Sequence, residues 1–229
     1  TVDKSARREG VEAAPELAPY LDLLRSHDVD ALRRHLVQAQ VRLGLGRFVV
    51  VVISPLNTLV GDAWMRGQVE IFEEHLYTEA VTVVLRDAIR SVPLAVQADR
   101  PRVLMTTFPG EPHGLGLLMA EALFVLEGAA CISLGVQTPI WDIVLATQAT
   151  RADIVALSFT GCMNPNHVVD GLAELRSKLP ERVEVWAGGS APVLHRRPVE
   201  RVRAIANLAR IPDDLRRWRG EVHGKAVLS

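Results

Sequence analysis

Cysteine is scarce in this sequence, and neither sign of charge is in excess. Its 229 residues include two cysteines, Cys131 and Cys162, which fall at predicted strands or strand ends without the spacing of metal ligands. This excludes a disulfide framework and favours reduced, structural thiols in a cytoplasmic protein. The 26 basic and 27 acidic residues give a net charge of -1, so no overall field attracts nucleic acid or an anionic membrane.

Long apolar segments are also lacking. We find no charged N-terminal region followed by an apolar core and no apolar run as long as a membrane span. The sequence therefore predicts a cytoplasmic protein without a membrane partner. Basic residues concentrate only late in the chain, at Arg210, Arg216, Arg217 and Arg219. Because two aspartates lie among them, we interpret this segment as a solvated helix face and expect no nucleic-acid partner for this chain alone.

Apolar residues recur at helical spacing through the first part of the chain. The pattern of leucines breaks at 26–28, where Ser and Asp are good helix caps. The run Val49 to Val52 is β-branched and prefers strand by propensity, but it lies between helical patterns. We therefore predict a buried helix that contains Pro55.

A further amphipathic helix is predicted over 70–90. Its apolar residues are expected to face inward, namely Ile71, Phe72, Leu76, Val83 and Leu85. Four helices of these lengths form a small bundle, which we assign to residues 1–92.

The pattern changes after a predicted linker at 93–100, which is marked by prolines and an aspartate. Short apolar strands then alternate with helices. The predicted strands cover 103–107, 130–134, 154–158, 183–187 and a short segment near 203–206. The predicted helices cover 113–127, 139–149, 166–179 and a terminal segment from 213. This alternation predicts a parallel, flavodoxin-like (Rossmann-like) sheet over 101–229, so the fold class is a helical bundle followed by an α/β domain.

One run, Glu111 to Gly116, lies where the first predicted strand leads into a helix. The carboxyl ends of parallel strands are where α/β sheets bind ligands. Glu111 can accept a hydrogen bond from one ring nitrogen of His113, which leaves the other nitrogen for a metal. Gly114 and Gly116 lack side chains, so a flat ligand can approach the backbone. We therefore interpret His113 as a metal ligand rather than a helix cap.

The pattern Glu111-x-His113-x-x-Gly116 resembles the cobalamin-binding signature, in which the histidine is the lower axial ligand of cobalt. That resemblance implies that the nucleotide tail of the cofactor lies beside the first strands, among small and hydroxyl residues. The further cofactor-binding residues that it implies are Pro112, Gly114, Leu115, Leu134, Gly135, Thr138, Ser158, Thr160, Gly161, Gly188, Gly189 and Ser190. Glu111 and Thr160 replace the more usual aspartate and aliphatic residue, which points to a subfamily.

In the helical part, Trp64 followed by Glu74-His75 resembles the Trp-x9-Glu-His signature of CarH-like photoreceptors. These sensors bind adenosylcobalamin between a four-helix bundle and a cobalamin domain, and they change oligomeric state when light breaks the cobalt–carbon bond. The resemblance implies that Trp64 packs against the adenosyl group, that Glu74 hydrogen-bonds its ribose and that His75 lines the same pocket. The alternative is that Trp64 and Phe72 are core residues and that Glu74 and His75 are a solvated pair.

Met65 departs from that family. CarH-like repressors typically carry a histidine at this position, and it ligates cobalt after photolysis. A thioether is a softer and weaker ligand. We therefore expect a different light state, in which Met65 coordinates weakly, His75 moves in or water occupies the upper position.

No winged-helix DNA-binding segment precedes Leu17 in this sequence, whereas CarH-like repressors carry one. The chain is then either the sensor part of a longer protein or a sensor that acts through an effector protein. The photocobilin group of CarH-like sensors holds a bilin such as biliverdin beside cobalamin, which makes a bilin an option here. We identify no attachment site, because Cys131 and Cys162 are expected on the wrong side of the sheet for the bundle.

The resemblance implies a light-sensing signalling protein, with no catalytic residues, that forms a homo-oligomer through the bundle and the cobalamin domain. A corrinoid methyl-carrier protein of a methyltransferase system is the enzymatic alternative, since such carriers join a helical bundle to the same kind of domain. A cobalamin sensor or carrier without photochemistry is a third hypothesis.

Overall fold

A computed structural model describes residues 17–93 and 101–227. The first of these segments is helical, and its first two helices are α1 (Ala18–Arg25) and α2 (Val29–Leu43). The predicted break between them is confirmed, because the side chain of Asp28 accepts a hydrogen bond from the N–H of Ala31 at 2.9 Å and so caps α2.

The β-branched run is helical, as predicted, and forms part of one continuous helix over Leu45–Met65. This helix consists of α3 (Leu45–Phe48), a π-helical segment (Val49–Ile53) and α4 (Ser54–Met65). By length and composition alone it could cross a membrane, so the expectation that no apolar run reaches that length was wrong. Its buried face contributes Phe48, Val49, Val52, Ile53 and Leu56 to the protein core, as the core helix of a folded domain does.

The predicted inner face of α5 (Ile71–Arg90) is partly wrong. Ile71, Phe72 and Val83 are 60%, 52% and 41% exposed, whereas Leu85 is buried. Tyr77, Ala80, Val81 and Val84 share the buried side with it. At the start of the helix, the apolar residues Ile71 and Phe72 therefore face outward, and the charged residue Glu73 is buried instead.

Five parallel strands form a single sheet in the order β2-β1-β3-β4-β5, which confirms the flavodoxin-like prediction. The strands are β1 (Arg102–Thr106), β2 (Ala130–Ser133), β3 (Ile154–Phe159), β4 (Glu184–Gly189) and β5 (Val202–Ile205). The chain first moves outward from β1 to β2 and then returns past β1 to β3. The loops after β1 and β3 therefore lie side by side at the carboxyl edge, where the strand order reverses.

Helices follow these strands nearly where the alternation predicted them. They are α6 (Leu115–Leu126), α7 (Ile140–Thr150), α8 (Pro165–Lys178), α9 (Val193–Arg196) and α10 (Ile211–Val227). The short α9 and a 3-10 turn at Leu208–Arg210 were not predicted, because single turns carry too little periodicity to be recognised.

One hydrophobic core joins the helical segment to one face of the sheet. It runs from Leu36 and Phe48 through Leu118 and Leu123 of α6 to Trp186 of β4. A second core, which includes Val168 of α8, fills the opposite face. The division at 92 and 101 stays a prediction, and residues 94–100 of the proposed linker lie outside the described part of the chain.

Candidate functional site

Glu111 is a fully buried carboxylate at the carboxyl edge of the sheet. Its Oε2 accepts hydrogen bonds from the N–H of Thr160 at 2.6 Å and from the hydroxyl of Thr160 at 2.8 Å. Burial alone would raise the pKa of Glu111, but the hydrogen bonds from Thr160 and His113 outweigh it and hold that pKa below its usual value. Glu111 is therefore an ionised acceptor at neutral pH.

His113 is oriented by this carboxylate. Its Nδ1 lies 2.6 Å from Oε1 of Glu111, and its backbone N–H donates to the same oxygen at 3.2 Å. Because an ionised carboxylate only accepts, Nδ1 carries the proton in the neutral ring and Nε2 keeps a free lone pair. The side chain is 51% exposed. The predicted hydrogen bond between Glu111 and His113 is confirmed, and it leaves Nε2 available to a metal, whereas the assignment of His113 as a metal ligand stays a prediction.

The loop after β3 supplies the partner that the sequence did not indicate. Thr160 was predicted to line a cofactor channel, whereas the structure shows it anchoring Glu111 from the neighbouring strand end. The hydroxyl of Thr160 also lies 3.5 Å from Nδ1 of His113. The three residues form one hydrogen-bonded group drawn from two loops.

Two adjacent threonines, Thr106 and Thr107, are fully buried at the end of β1. The hydroxyl of Thr106 donates to the carbonyl of Gly135 at 3.0 Å and lies 2.6 Å from the hydroxyl of Thr138. Sequence reasoning placed Gly135 and Thr138 at the site but missed these two threonines. A pair of hydroxyl side chains at the end of the predicted strand, separated by three residues from the Glu-x-His motif, was the available signal.

Gly116 and Gly114 lie in close contact with neighbouring side chains of the protein. A Cβ at Gly116 would lie 2.5 Å from the hydroxyl oxygen of Ser158, and a Cβ at Gly114 would lie 3.2 Å from Val136. Both glycines therefore let the start of α6 sit against the neighbouring loops, which is a different reason from the expected approach of a flat ligand. Leu115, between them, is buried, while Pro112 is exposed.

The double glycine was predicted to follow the fourth strand, but it forms the end of β4, and close packing again accounts for it. Gly189 has a φ of +110°, and a Cβ there would lie 2.1 Å from the carbonyl oxygen of Phe159. Gly188 pairs with Ser158, and Gly189 pairs with Phe159 across the two strands. Ser158 is buried, whereas Gly161 and Ser190 lie exposed in the adjacent loops with Leu134. The structure thus brings the predicted loops of all four strands to one edge.

The upper site is the name used here for the four predicted residues on the helical part, Trp64, Met65, Glu74 and His75. They lie at the end of α4 and the start of α5. Trp64 and Met65 end α4 with exposures of 45% and 71%. Glu74 and His75 lie in the first turns of α5, with Nε2 of His75 3.7 Å from a carboxylate oxygen of Glu74. Within the described residues, the side-chain hydrogen bonds and ion pairs of these two residues reach only each other and Thr78. The four residues therefore lie on two consecutive helices. Among the described residues, no side-chain hydrogen bond or ion pair of Glu74 or His75 reaches the His113 loop.

The turn between α1 and α2 supports the start of α5. Nε2 of His27 lies 3.0 Å from Oε1 of Glu73, and its ring lies 5.3 Å from that of Phe72. Glu73 also accepts the backbone N–H of Glu70 and completes a capping box. The helix end that carries Glu74 and His75 is thus fixed from two sides.

The expected placement of the cysteines needs correction. Cys131 packs against the core that contains the helical segment, so it does not lie on the wrong side of the sheet for the bundle. Burial, and then the nearby charge of Glu121, raise the pKa of the Cys131 thiol, which disfavours the reactive thiolate. Cys162 is exposed in the loop of Thr160, and its N–H donates to the Thr160 hydroxyl at 3.4 Å.

Comparison with known proteins finds a partial match to one family and two relatives. Residues 17–86 match the family model described as B12 binding domain. The chain is 34% identical over 151 residues to the HTH-type transcriptional repressor CarH of Myxococcus xanthus, covering 66% of this chain and 50% of that protein. It is 24% identical over 141 residues to a corrinoid protein of Desulfitobacterium hafniense (strain Y51), covering 59% of this chain and 65% of that protein. The chain thus spans between half and two-thirds of these relatives.

A solved structure shares the fold. The monomethylamine corrinoid protein of Methanosarcina barkeri superposes with a TM-score of 0.66 at 14% identity, over 86% of this chain and 95% of that one. The chain therefore shares the fold of that corrinoid protein, and its residues 17–86 are similar to the B12 binding domain family. The residues at the carboxyl edge fit such a cofactor. The ring of His113 is exposed and has one free nitrogen, and its other nitrogen is hydrogen-bonded to the buried carboxylate of Glu111.

Proposed function

We propose that this cobalamin-binding protein holds adenosylcobalamin between His113 and the ends of α4 and α5, and that it acts as a light-sensing signalling protein. Bound adenosylcobalamin would supply a cobalt–carbon bond that light can break. His113 would bind cobalt from below, with Glu111 and Thr160 fixing its ring. The proposal does not require any residue of this chain to act as a catalyst.

The exposure of the upper-site residues carries this proposal. If Trp64 and Phe72 were core residues, they would be buried, but they are 45% and 52% exposed. An exposed tryptophan at the end of α4 leaves a large apolar surface for a ligand to cover. Trp64 would cover the adenosyl group and exclude water, while Glu74 would accept a hydrogen bond from its ribose.

Signalling requires contacts that exist in only one state. A ligand shifts a conformational equilibrium only by its difference in affinity for the two states. In this protein the contacts of Trp64 and Glu74 with the adenosyl group would be lost after photolysis, so the ends of α4 and α5 would rearrange. A change of homo-oligomeric state and binding of an effector protein are the proposed outputs, and a bilin is an optional second chromophore.

The sequence resemblance to CarH-like photoreceptors supports this assignment, and so does the identity of 34% with the CarH repressor. A corrinoid methyl carrier is the second candidate. It is favoured by the similarity to a corrinoid protein and by the fold shared with the monomethylamine corrinoid protein. Such a carrier must leave the upper face of cobalt open to a methyl donor and acceptor, whereas Trp64 would cover it.

One experiment separates these functions. The purified chain is loaded with adenosylcobalamin in the dark, and its absorption spectrum and molecular mass are measured before and after illumination. We expect both to change. An unchanged spectrum and mass would exclude the sensor, while methyl transfer from methylcobalamin loaded on the same protein would support the carrier.

A matched pair of variants tests the upper site. Trp64→Ala should weaken retention of adenosylcobalamin in the dark, because the adenosyl group loses its cover. Trp141→Ala removes another exposed tryptophan, which lies on α7 beside Lys178, and should leave retention unchanged. Equal retention by both variants would contradict the role proposed for Trp64.

A further inference from the structure

The hydroxyl of Thr107 connects two loops at the carboxyl edge. It donates to the carbonyl oxygen of Glu111 at 2.6 Å and accepts the backbone N–H of Gln137 at 2.8 Å. The carbonyl oxygen of Thr107 accepts the N–H of Thr138 at 2.9 Å. A single fully buried residue thus ties the backbone of the His113 loop to the backbone of the loop after β2.

Both partners of this hydroxyl depend on it. Gln137 has a φ of +60°, a conformation that a non-glycine residue adopts only when its surroundings hold it there. Glu111 is anchored at its carboxylate by Thr160 and at its carbonyl by Thr107. Removing the hydroxyl would leave the buried carbonyl oxygen of Glu111 without its donor and release the N–H of the exposed Gln137, so the loops would shift to regain these bonds.

Glu111, His113 and Thr160 are called the lower site here. We propose that Thr107 is the positioning residue of this lower site. It sets the position of the His113 loop relative to the sheet edge and its distance from the loop 134–138. This inference rests on the proposed role of His113 as the cobalt ligand. Thr107 does not touch the cofactor itself. It acts through the backbone of Glu111, and a shift of that backbone moves the Nε2 of His113 relative to cobalt.

The neighbouring Thr106 makes no such link to the backbone of Glu111, and its hydroxyl donates to the carbonyl oxygen of Thr107 at 3.4 Å within its own strand end. Its hydroxyl lies near Gly135 and Thr138, both in the loop after β2. Thr107 therefore differs from Thr106 in bonding the two loops together, so the lower site would lose its spacing when Thr107 is changed.

The test compares two variants that differ by one hydroxyl. Thr107→Ser and Thr107→Ala both lack the methyl group, so any packing loss is shared. The purified proteins are titrated with hydroxocobalamin to measure affinity. EPR spectra are recorded after reduction to cobalt(II) with cobinamide, a corrinoid that lacks the nucleotide base of cobalamin. Any splitting by an axial nitrogen then comes from the protein, and it reports the nitrogen-bound fraction, which is the fraction of the corrinoid bound to histidine.

We expect the serine variant to keep the nitrogen-bound fraction of the unaltered protein, and the alanine variant to lose part of it with about tenfold weaker affinity. Equal nitrogen-bound fractions in the two variants would overturn the proposal. Should the alanine variant fail to fold, Thr107→Val replaces it in the comparison, since valine preserves the volume.

Thr147 provides the matched control. It is also a buried threonine, and its hydroxyl donates to a backbone carbonyl within α7, that of Ile143, at 2.7 Å. Thr147→Ser and Thr147→Ala should show the same nitrogen-bound fraction. His113→Ala separates this inference from the proposed function. If that variant keeps the nitrogen splitting, the ligand assignment fails; if it loses the splitting while the two Thr107 variants agree, only the role of Thr107 fails.

Discussion

Thr160 donates two hydrogen bonds to a single oxygen of Glu111, one from its backbone and one from its side chain. Only the second depends on the identity of the residue. We expect Thr160→Val to weaken cobalamin affinity about fivefold, since a hydrogen bond to a charged group contributes at least about 1 kcal/mol. Thr160→Ser should bind as the unaltered protein does. Equilibrium titration with hydroxocobalamin measures both, and equal affinities for valine and serine would contradict the role of the hydroxyl.

Met65 leads to a prediction about the illuminated protein. Met65→His would place a nitrogen donor where a weak thioether stands, at a position that is 71% exposed. We expect the illuminated variant to show a spectrum different from that of the illuminated unaltered protein, and to retain its cobalamin longer during dialysis. Identical spectra and retention would mean that residue 65 does not reach the cofactor.

Gly171 is a glycine in the middle of α8 because of an aromatic ring. A Cβ there would lie 2.7 Å from the ring of Phe108, which directly precedes the His113 loop and packs edge-on against Phe159. Gly171→Ala should lower the free energy of unfolding by about 1–3 kcal/mol through overpacking.

Gly61 is the matched control for Gly171. It also lies inside a helix, α4, but a Cβ there would meet nothing within 4 Å. Gly61→Ala should therefore be stabilising by about 0.5–1 kcal/mol, because alanine is the better helix former. Urea denaturation of both variants gives the two values, and a neutral Gly171→Ala would refute the clash.

Tyr77 has a buried hydroxyl without a hydrogen-bond partner among the described residues. Burial, and then the charge of Glu74, raise the pKa of Tyr77, so the hydroxyl stays neutral and its desolvation is uncompensated. Tyr77→Phe should therefore raise the free energy of unfolding by about 1 kcal/mol. A loss of stability in thermal denaturation would instead reveal a partner, such as an internal water molecule.

Glu73 makes stability depend on pH. The N–H of Glu70 lowers the pKa of Glu73, burial opposes this, and His27 lowers it further, so the net shift is downward. A carboxyl group with a lowered folded-state pKa contributes stability above its ordinary pKa of 4.5 and loses it as pH falls through the folded value. In urea denaturation, the free energy of unfolding of the unaltered protein should thus exceed that of Glu73→Gln by its full amount at pH 7. This difference should shrink below about pH 4.5. Glu79→Gln, an exposed change on the same helix, should show no such trend.

The alternation of apolar strands and helices was sufficient to predict the sheet, because strand and helix periods differ clearly over four or more residues. It was insufficient for α5, where the sequence alone could not show that Phe72 faces outward while Glu73 is buried. Phe72 is apolar enough for a core, and its outward position depends on the tertiary contact with His27.

At the site, the pairing of Glu111 with His113 was predictable because the two residues are near neighbours in the chain. The bonds from Thr107 and Thr160 were not, since they join residues 30 and 49 positions apart. Such contacts follow from strand order, which brings the ends of β1, β2 and β3 together. The packing that favours glycine at position 116 could not be predicted either. The side chain that a Cβ of Gly116 would meet is that of Ser158, which lies on β3, far away in the sequence.

The hydrophobic core that runs from Phe48 through Leu118 to Trp186 limits the conformational changes by which this protein could transmit a signal. Helices that share one packed interior with a sheet cannot swing away as a separate lobe without wetting that interior, which costs about 25 cal/mol for each Å² of apolar surface exposed. Movement costs less at exposed helix ends, such as the end of α4 at Trp64 and Met65. We therefore expect the protein to melt in a single cooperative step and to transmit any change of ligand through small displacements of those helix ends.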